Sequence, residues 1–263
     1  MTLIERPQTW ESPRTGKTRL IVLSMGWANS SIIVLQQLLA ACPELAGVGD
    51  WLAVDHLADG YDLKREADAV REYATKHDYT EIAVVGASMG AGLLPVLEDY
   101  SRLTVGTAVL IDPVLTTRSL RPSRRVKALA AYLTAYMGQD FWRKLSRSAP
   151  DIEPDAKEGA RAHREFGIKL YGGARRSQSA ALLRFGRVSG FANHHRSTYV
   201  TMLTSEHDDA VRAYYNAGFL RGIYYPNYIG RTTVDGTWHT SLVEHRVKWG
   251  TAILAEFRDL MFF

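Results

Sequence analysis

Cys42 is the only cysteine in this 263-residue chain, so an internal disulfide is impossible. It closes the apolar, helix-like stretch from Leu35 to Cys42 and is expected to pack in the core rather than react. No run of 18 apolar residues is present, so no transmembrane helix is expected. The first ten residues, from Met1 to Trp10, lack a hydrophobic export region. Together these absences predict a soluble, cytoplasmic protein. No internal repeat and no low-complexity tract divides the chain, and the formal net charge is only +4. No recognised nucleic-acid motif accompanies that charge, so nucleic acid is not an expected partner.

Apolar residues make up 46% of the chain, ample for a sizeable core. The length fits one large domain or a domain with an inserted lid. The charge is unevenly spread, because Leu115 to Arg196 holds 17 Lys or Arg against 6 Asp or Glu. Such a basic segment is either a solvated helical surface or a face for an anionic partner.

Strands are expected at Leu20–Ser24, Trp51–Asp55, Ile82–Val85 and Gly106–Ile111. They alternate with helices at Ser30–Ala41, Leu63–His77 and Ala91–Tyr100. This alternation implies a parallel, doubly wound α/β sheet. Asn29 or Ser30 can cap the first helix, and Ile32, Ile33, Leu35, Leu38 and Leu39 supply its apolar face. After Pro113 the alternation stops for about 80 residues, with breaks at Gly138, Pro150, Pro154 and Gly172-Gly173. Amphipathic spacing recurs at Val126–Met137 and Ser177–Phe185, whereas Ser148–Gly159 reads as a polar loop. The expected division is therefore a core of residues 1–114 and 197–263 with a helical cap at 115–196. Strands at Thr198–Thr204 and Phe219–Tyr225 and a helix at Ser241–Phe257 complete the core.

The run from Glu81 to Leu94 carries an apolar strand into Gly86-x-Ser88-x-Gly90 and then into a helix-forming stretch. A serine at the tip of a sharp strand-to-helix turn adopts a strained backbone, and glycines two residues either side let neighbouring backbone pass. That turn exposes the hydroxyl and aims backbone N–H groups at the same spot. A serine hydroxyl near neutral pH needs a base within hydrogen-bond reach and a carboxylate to orient that base. Asp208 stands just beyond the Thr198–Thr204 strand, before a helix expected near Asp209. His239 follows 31 residues later, in a loop before the terminal helix. Asp209 and Asp112, the latter beyond the Gly106–Ile111 strand, are rival acids. His194, His195 and His207 are rival bases, but only His239 precedes the last helix. The spacing of His194, His195, His207 and Asp208 matches no zinc pattern, so no metal is expected.

The order serine, acid, histidine and the motif Gly86-Ala87-Ser88-Met89-Gly90 resemble the α/β-hydrolase fold enzymes over Leu20 to Phe257, the cap excepted. Leu20 to Trp27 is similar to the family's first strand and His-Gly-x loop, with Ser24-Met25 where His often precedes Gly. Val54 to Gly60 resembles the Asp-x-x-Gly-His-Gly loop, and Ser205-x-x-Asp208-x-x-Val211 the Gly-x-x-Asp-x-x-Val motif with Ser replacing Gly. The resemblance implies Ser88, Asp208 and His239 as catalytic residues, with the backbone N–H groups of Trp27 and Met89 as oxyanion donors. It implies a carboxylesterase-like serine hydrolase that needs no cofactor and acts on a small-molecule acyl ester, one with an anionic end where the basic cap takes part. A thioesterase or acyltransferase of the same fold, or a non-catalytic small-ligand binder, are the alternatives. Tyr132, Tyr136, Phe141, Trp142, Phe166 and Tyr171 are candidates for an apolar acyl pocket in the cap.

Overall fold

The computed structural model describes residues 9–14, 18–55, 61–100, 104–145, 152–170, 172–185 and 197–260. Seven strands form one sheet: β1 (Thr9–Glu11), β2 (Arg19–Ser24), β3 (Asp50–Val54), β4 (Glu81–Ala87), β5 (Thr104–Ile111), β6 (Tyr199–His207) and β7 (Tyr228–Trp238). Their spatial order is β1-β3-β2-β4-β5-β6-β7, parallel throughout except for the β1–β3 pair. The helices are α1 (Ser31–Ala41), α2 (Leu63–Lys76), α3 (Leu93–Tyr100), α4 (Pro122–Leu133), α5 (Gln139–Leu145), α6 (Lys157–Lys169), α7 (Gly172–Leu183), α8 (Ala213–Tyr224) and α9 (Arg246–Leu260).

The two-residue period of the strands divides the core into two layers. Leu20, Val22, Leu52, Val54, Ile82, Val84, Ala108, Leu110, Val200 and Met202 face one side, where α2, α3 and α8 cover them. Ile21, Leu23, Trp51, Ala53, Ala83, Val85, Val109, Ile111 and Leu203 face the other, against α1 and α9. Each fully buried aliphatic side chain contributes about 1.5 to 3 kcal/mol. The central strands are therefore continuous apolar runs rather than alternating ones. Ser30 caps α1 by accepting from Ile33 N at 3.3 Å. Cys42, at the other end of α1, is buried as expected.

Four sequence expectations are corrected. Phe219–Tyr225 is not a strand but the end of α8, and its dense aromatic and branched residues misled the reading. The buried positions Asn216, Leu220 and Tyr224 recur every fourth residue, a helical period. The true last strand, β7, is an edge with few buried residues, so no apolar run announces it. The terminal helix begins at Arg246 rather than Ser241, and the helix after Asp208 begins at Ala213. The expected polar loop is overtaken from Pro154 by a 3-10 turn and then by α6.

Between β5 and β6 in the chain lie α4 to α7. Ala128 of α4 packs with Ala181 and Leu182 of α7 and with Phe185, in a third cluster that also takes in Met89, Val114, Leu120 and Val211. The inner side of α4 thus belongs to the same apolar cluster as the residue that follows Ser88. Among the described residues no helix is long and apolar enough to cross a membrane.

Candidate active site

Ser88 closes β4 at φ 53°, a left-handed backbone angle that costs a non-glycine residue about 1 to 3 kcal/mol. The flanking glycines are steric necessities. A Cβ on Gly86 would stand 2.6 Å from Ala91 Cα, and one on Gly90 would stand 2.0 Å from the Ser24 carbonyl oxygen. Both obstacles are backbone and cannot swing away. We expect Gly90→Ala to destabilise the protein by more than about 2 kcal/mol. Urea unfolding measures the loss, and an unchanged midpoint would contradict this packing.

Behind the serine, the loop after β2 comes close enough that a Cβ on Gly26 would meet Ser88 Cβ at 2.6 Å, Ser88 Oγ at 3.0 Å and Met89 N at 3.1 Å. Trp27 follows directly, so the two expected backbone donors belong to segments that converge on the serine. This loop is braced on several sides. Met25 N donates to Ser31 Oγ at 3.0 Å, and Ala28 N donates to Gln178 Oε1 of α7 at 2.9 Å. Tyr61 Oη donates to Met89 O at 2.8 Å. Sequence reasoning missed Tyr61 and Gln178, which no local motif marks, since their role depends on segments far apart in the chain.

His239 sits in the turn after β7, and its Nε2 lies 3.3 Å from Ser88 Oγ. On the opposite side of the ring, Nδ1 is 3.1 Å from Asp208 Oδ1 and 3.9 Å from Asp112 Oδ2. The 3.1 Å contact is of ion-pair length, although Nδ1 meets no oxygen with the alignment of a hydrogen bond. Asp208 follows β6, and its Oδ1 also accepts from Ala210 N at 2.7 Å and Val211 N at 3.0 Å. Asp209 faces away, paired with Arg124 at 2.7 Å. His207 is exposed, beside Glu206 and against the Trp238 ring. His194, His195, Tyr171 and residues 56–60 lie outside the described residues.

The electrostatics separate the two carboxyls near the imidazole. Burial disfavours the charged form of Asp208. The His239 imidazolium and the amides of Ala210 and Val211 outweigh it, holding this carboxyl below its usual value. Burial opposes the charge on His239, yet Asp208 and then Asp112 overcome it and raise the imidazole above its ordinary value. Asp112 is fully buried, and burial followed by the neighbouring Asp208 charge pushes it up to about 6.

Proton counting fits the protonated form that this shift favours below about pH 6. Ser205 Oγ lies 2.5 Å from Asp112 Oδ2 and 2.7 Å from the Trp238 carbonyl oxygen, and one hydroxyl proton serves only one of them. A proton on Asp112 completes both contacts. Asp112 also accepts from Ser205 N at 2.8 Å and Thr240 N at 3.0 Å, so it ties the strand bearing Asp208 to the turn bearing His239. The serine that replaces glycine in the acid motif is therefore a link between those two segments.

A stability prediction follows from Asp112. Its pKa is raised on folding from 3.8 to about 6, so the folded state binds more protons than the unfolded state across that interval. This contribution to stability is intact below 3.8 and is lost as pH rises to about 6. The stability of Asp112→Asn relative to the unsubstituted protein should then climb across the same interval. Urea midpoints of the two proteins at several pH values check this, and parallel curves would refute it.

Asp112, Asp208 and His239 are also the one group of three potential metal ligands among the described residues, with donor atoms within 4.8 Å of one another. Of the aromatics expected to line the cap, Phe141 and Trp142 pack edge to face with ring centroids 5.3 Å apart, and Arg176 lies over the rings of Tyr132 and Tyr136. Tyr136 stands 64% exposed, and Trp142 lies under the Arg175 guanidinium at 3.8 Å.

A model of the alpha/beta hydrolase family matches residues 24–249. None of the curated proteins compared with the chain matches it. Among solved structures, a carboxylesterase of Nitrososphaera gargenis is 16% identical with a TM-score of 0.69, covering 99% of this chain and 97% of its own. A thermophilic esterase from Thermogutta terrifontis is 13% identical with a TM-score of 0.71, covering 97% and 93%. Esterase RhEst1 from a Rhodococcus species is 18% identical with a TM-score of 0.67, covering 97% and 96%. At such identities the likeness is one of fold, and the family match spans most of the sequence. The chain belongs to the alpha/beta hydrolase family.

Proposed function

We propose that this chain is a serine hydrolase that cleaves a carboxylic ester through an acyl-serine intermediate, with Ser88, Asp208 and His239 as its catalytic residues. The observation that carries the reading is the 3.3 Å approach of His239 Nε2 to the hydroxyl of a serine held at φ 53°. Ser88 Oγ attacks the acyl carbon while His239 Nε2 takes its proton, and the backbone N–H groups of Trp27 and Met89 receive the oxyanion. Collapse of the tetrahedral adduct breaks the ester C–O bond, and His239 returns the proton to the departing alcohol. Water, deprotonated by the same nitrogen, then attacks the acyl-serine and frees the acid. Asp208 holds the ring and stabilises the imidazolium at each turn. Helices α4 to α7 act as the cap of this reading, which divides the chain into a core of 1–114 and 197–263 and a cap of 115–196.

Labelling with a fluorophosphonate probe tests the reading directly. The unsubstituted protein should label and Ser88→Ala should not, and equal labelling of both would sink it. A p-nitrophenyl ester series of increasing acyl length then ranks the substrates. The pH dependence carries a sign. His239 accepts a proton only when neutral, and its pKa lies above the ordinary 6.5. The midpoint of the rising limb of kcat/KM should therefore fall above 6.5, and Asp208→Asn should move it downward. A midpoint at or below that value would show that the ion pair does not govern the base.

A further inference from the structure

Nine large apolar side chains stand exposed among the described residues, and five of them belong to one short stretch. Val126 (67% exposed), Leu129 and Leu133 (71% exposed) line the outward face of α4 at a spacing of three and four residues, and Tyr136 and Met137 extend the stripe past its end. The inward face, with Ala128 and Ala131, is buried. The helix is therefore apolar on both sides, and among the described residues Val126, Leu129 and Leu133 on its outer side stand exposed.

Cations surround that stripe. From Pro113 to Gln139 there is no Asp or Glu, and there are five cations: Arg118, Arg121, Arg124, Arg125 and Lys127. Arg124 is committed to Asp209 at 2.7 Å, and Lys127 approaches the same carboxylate only at 3.9 Å. Arg125 and Lys127 flank Val126 in sequence, and the exposed Arg176 lies 4.7 Å over the Tyr132 ring. An apolar helical stripe bordered by cations and tyrosines has the chemistry of an element lying in the headgroup layer of an anionic bilayer. A second copy on this face would bring its own row of cations against an identical row, which is repulsive.

We propose that the outer face of α4 docks on an anionic phospholipid surface, sinking Val126, Leu129, Leu133 and Met137 among the acyl chains while Arg125, Lys127 and Arg176 meet the phosphates. Ala128, on the opposite side of the same helix, belongs to the cluster containing Met89.

Cosedimentation with phosphatidylcholine vesicles, with and without about one-third phosphatidylglycerol, tests the surface. Binding to the anionic vesicles should be at least about tenfold tighter and should weaken with added salt. Leu129→Asp combined with Leu133→Asp should abolish it, and Arg125→Gln and Lys127→Gln should each weaken it roughly fivefold. These positions are exposed, so circular dichroism and turnover of a short water-soluble ester should be unchanged. Ser88→Ala should bind like the unsubstituted protein, which separates this surface from the ester chemistry. Absence of binding to anionic vesicles at low salt would overturn the proposal. So would a concentration-dependent dimer that the double leucine variant dissociates.

Discussion

Replacing Ser88 or His239 by alanine should lower ester turnover by roughly 10⁵-fold in either case, and the double variant should be scarcely worse than the singles. The serine and the histidine act as one unit. Without Oγ there is nothing to acylate, and without Nε2, 3.3 Å away, the hydroxyl keeps its proton. Residual rate would come from the Trp27 and Met89 N–H groups and from substrate binding alone. Ser88→Ala removes no charge partner, so its thermal unfolding should shift little, whereas His239→Ala leaves the buried Asp208 carboxylate without its ion pair and should unfold at a lower temperature. Burst kinetics with a p-nitrophenyl ester supply the measurement, and a surviving burst in either variant would overturn the assignment.

The second large effect concerns the acid. Asp208→Asn should cost about 10⁴-fold in kcat, because an uncharged amide no longer stabilises the imidazolium that forms during proton transfer. The amide oxygen can still accept from Ala210 N and Val211 N, so the turn itself should hold. Asp112→Asn should cost no more than about tenfold, since Asp112 stands 3.9 Å from Nδ1 against 3.1 Å for Asp208 and ranks behind it in raising the imidazole. Steady-state kinetics on the two variants decide between them. A larger loss at Asp112 would transfer the orienting role to that residue, which stands 3.9 Å from the same nitrogen.

The central sheet was legible because its strands are continuous β-branched runs between helices, and Ile82–Val85 needed only to be extended to Glu81–Ala87. Gly86-x-Ser88-x-Gly90 was legible because its glycines answer to backbone contacts that no side chain can satisfy. Asp208 was placed by the end of a strand, and His239 by its position before the terminal helix. Other features depend on three-dimensional neighbours that a linear pattern does not encode. β7 is an edge strand whose exposed, threonine-rich residues carry no apolar period. The α8 region crowds aromatic and branched residues that suit a strand as well as a helix. Periodicity marked Val126–Met137 as amphipathic without revealing that one apolar stripe looks outward. The bridge from Asp112 through Ser205 to the His239 turn joins residues 93 and 128 positions apart, beyond any local signal.

Ser88 and His239 are mounted with unequal stiffness. Ser88 follows a strand hydrogen-bonded on both sides, to β2 and β5, whereas His239 follows a strand whose single neighbour among the described residues is β6. Fraying begins where a ladder has only one rail to hold, so on warming the imidazole loses its register while the serine stays in place. Heat inactivation of this hydrolase would then track the border of the sheet and precede the melting of its middle.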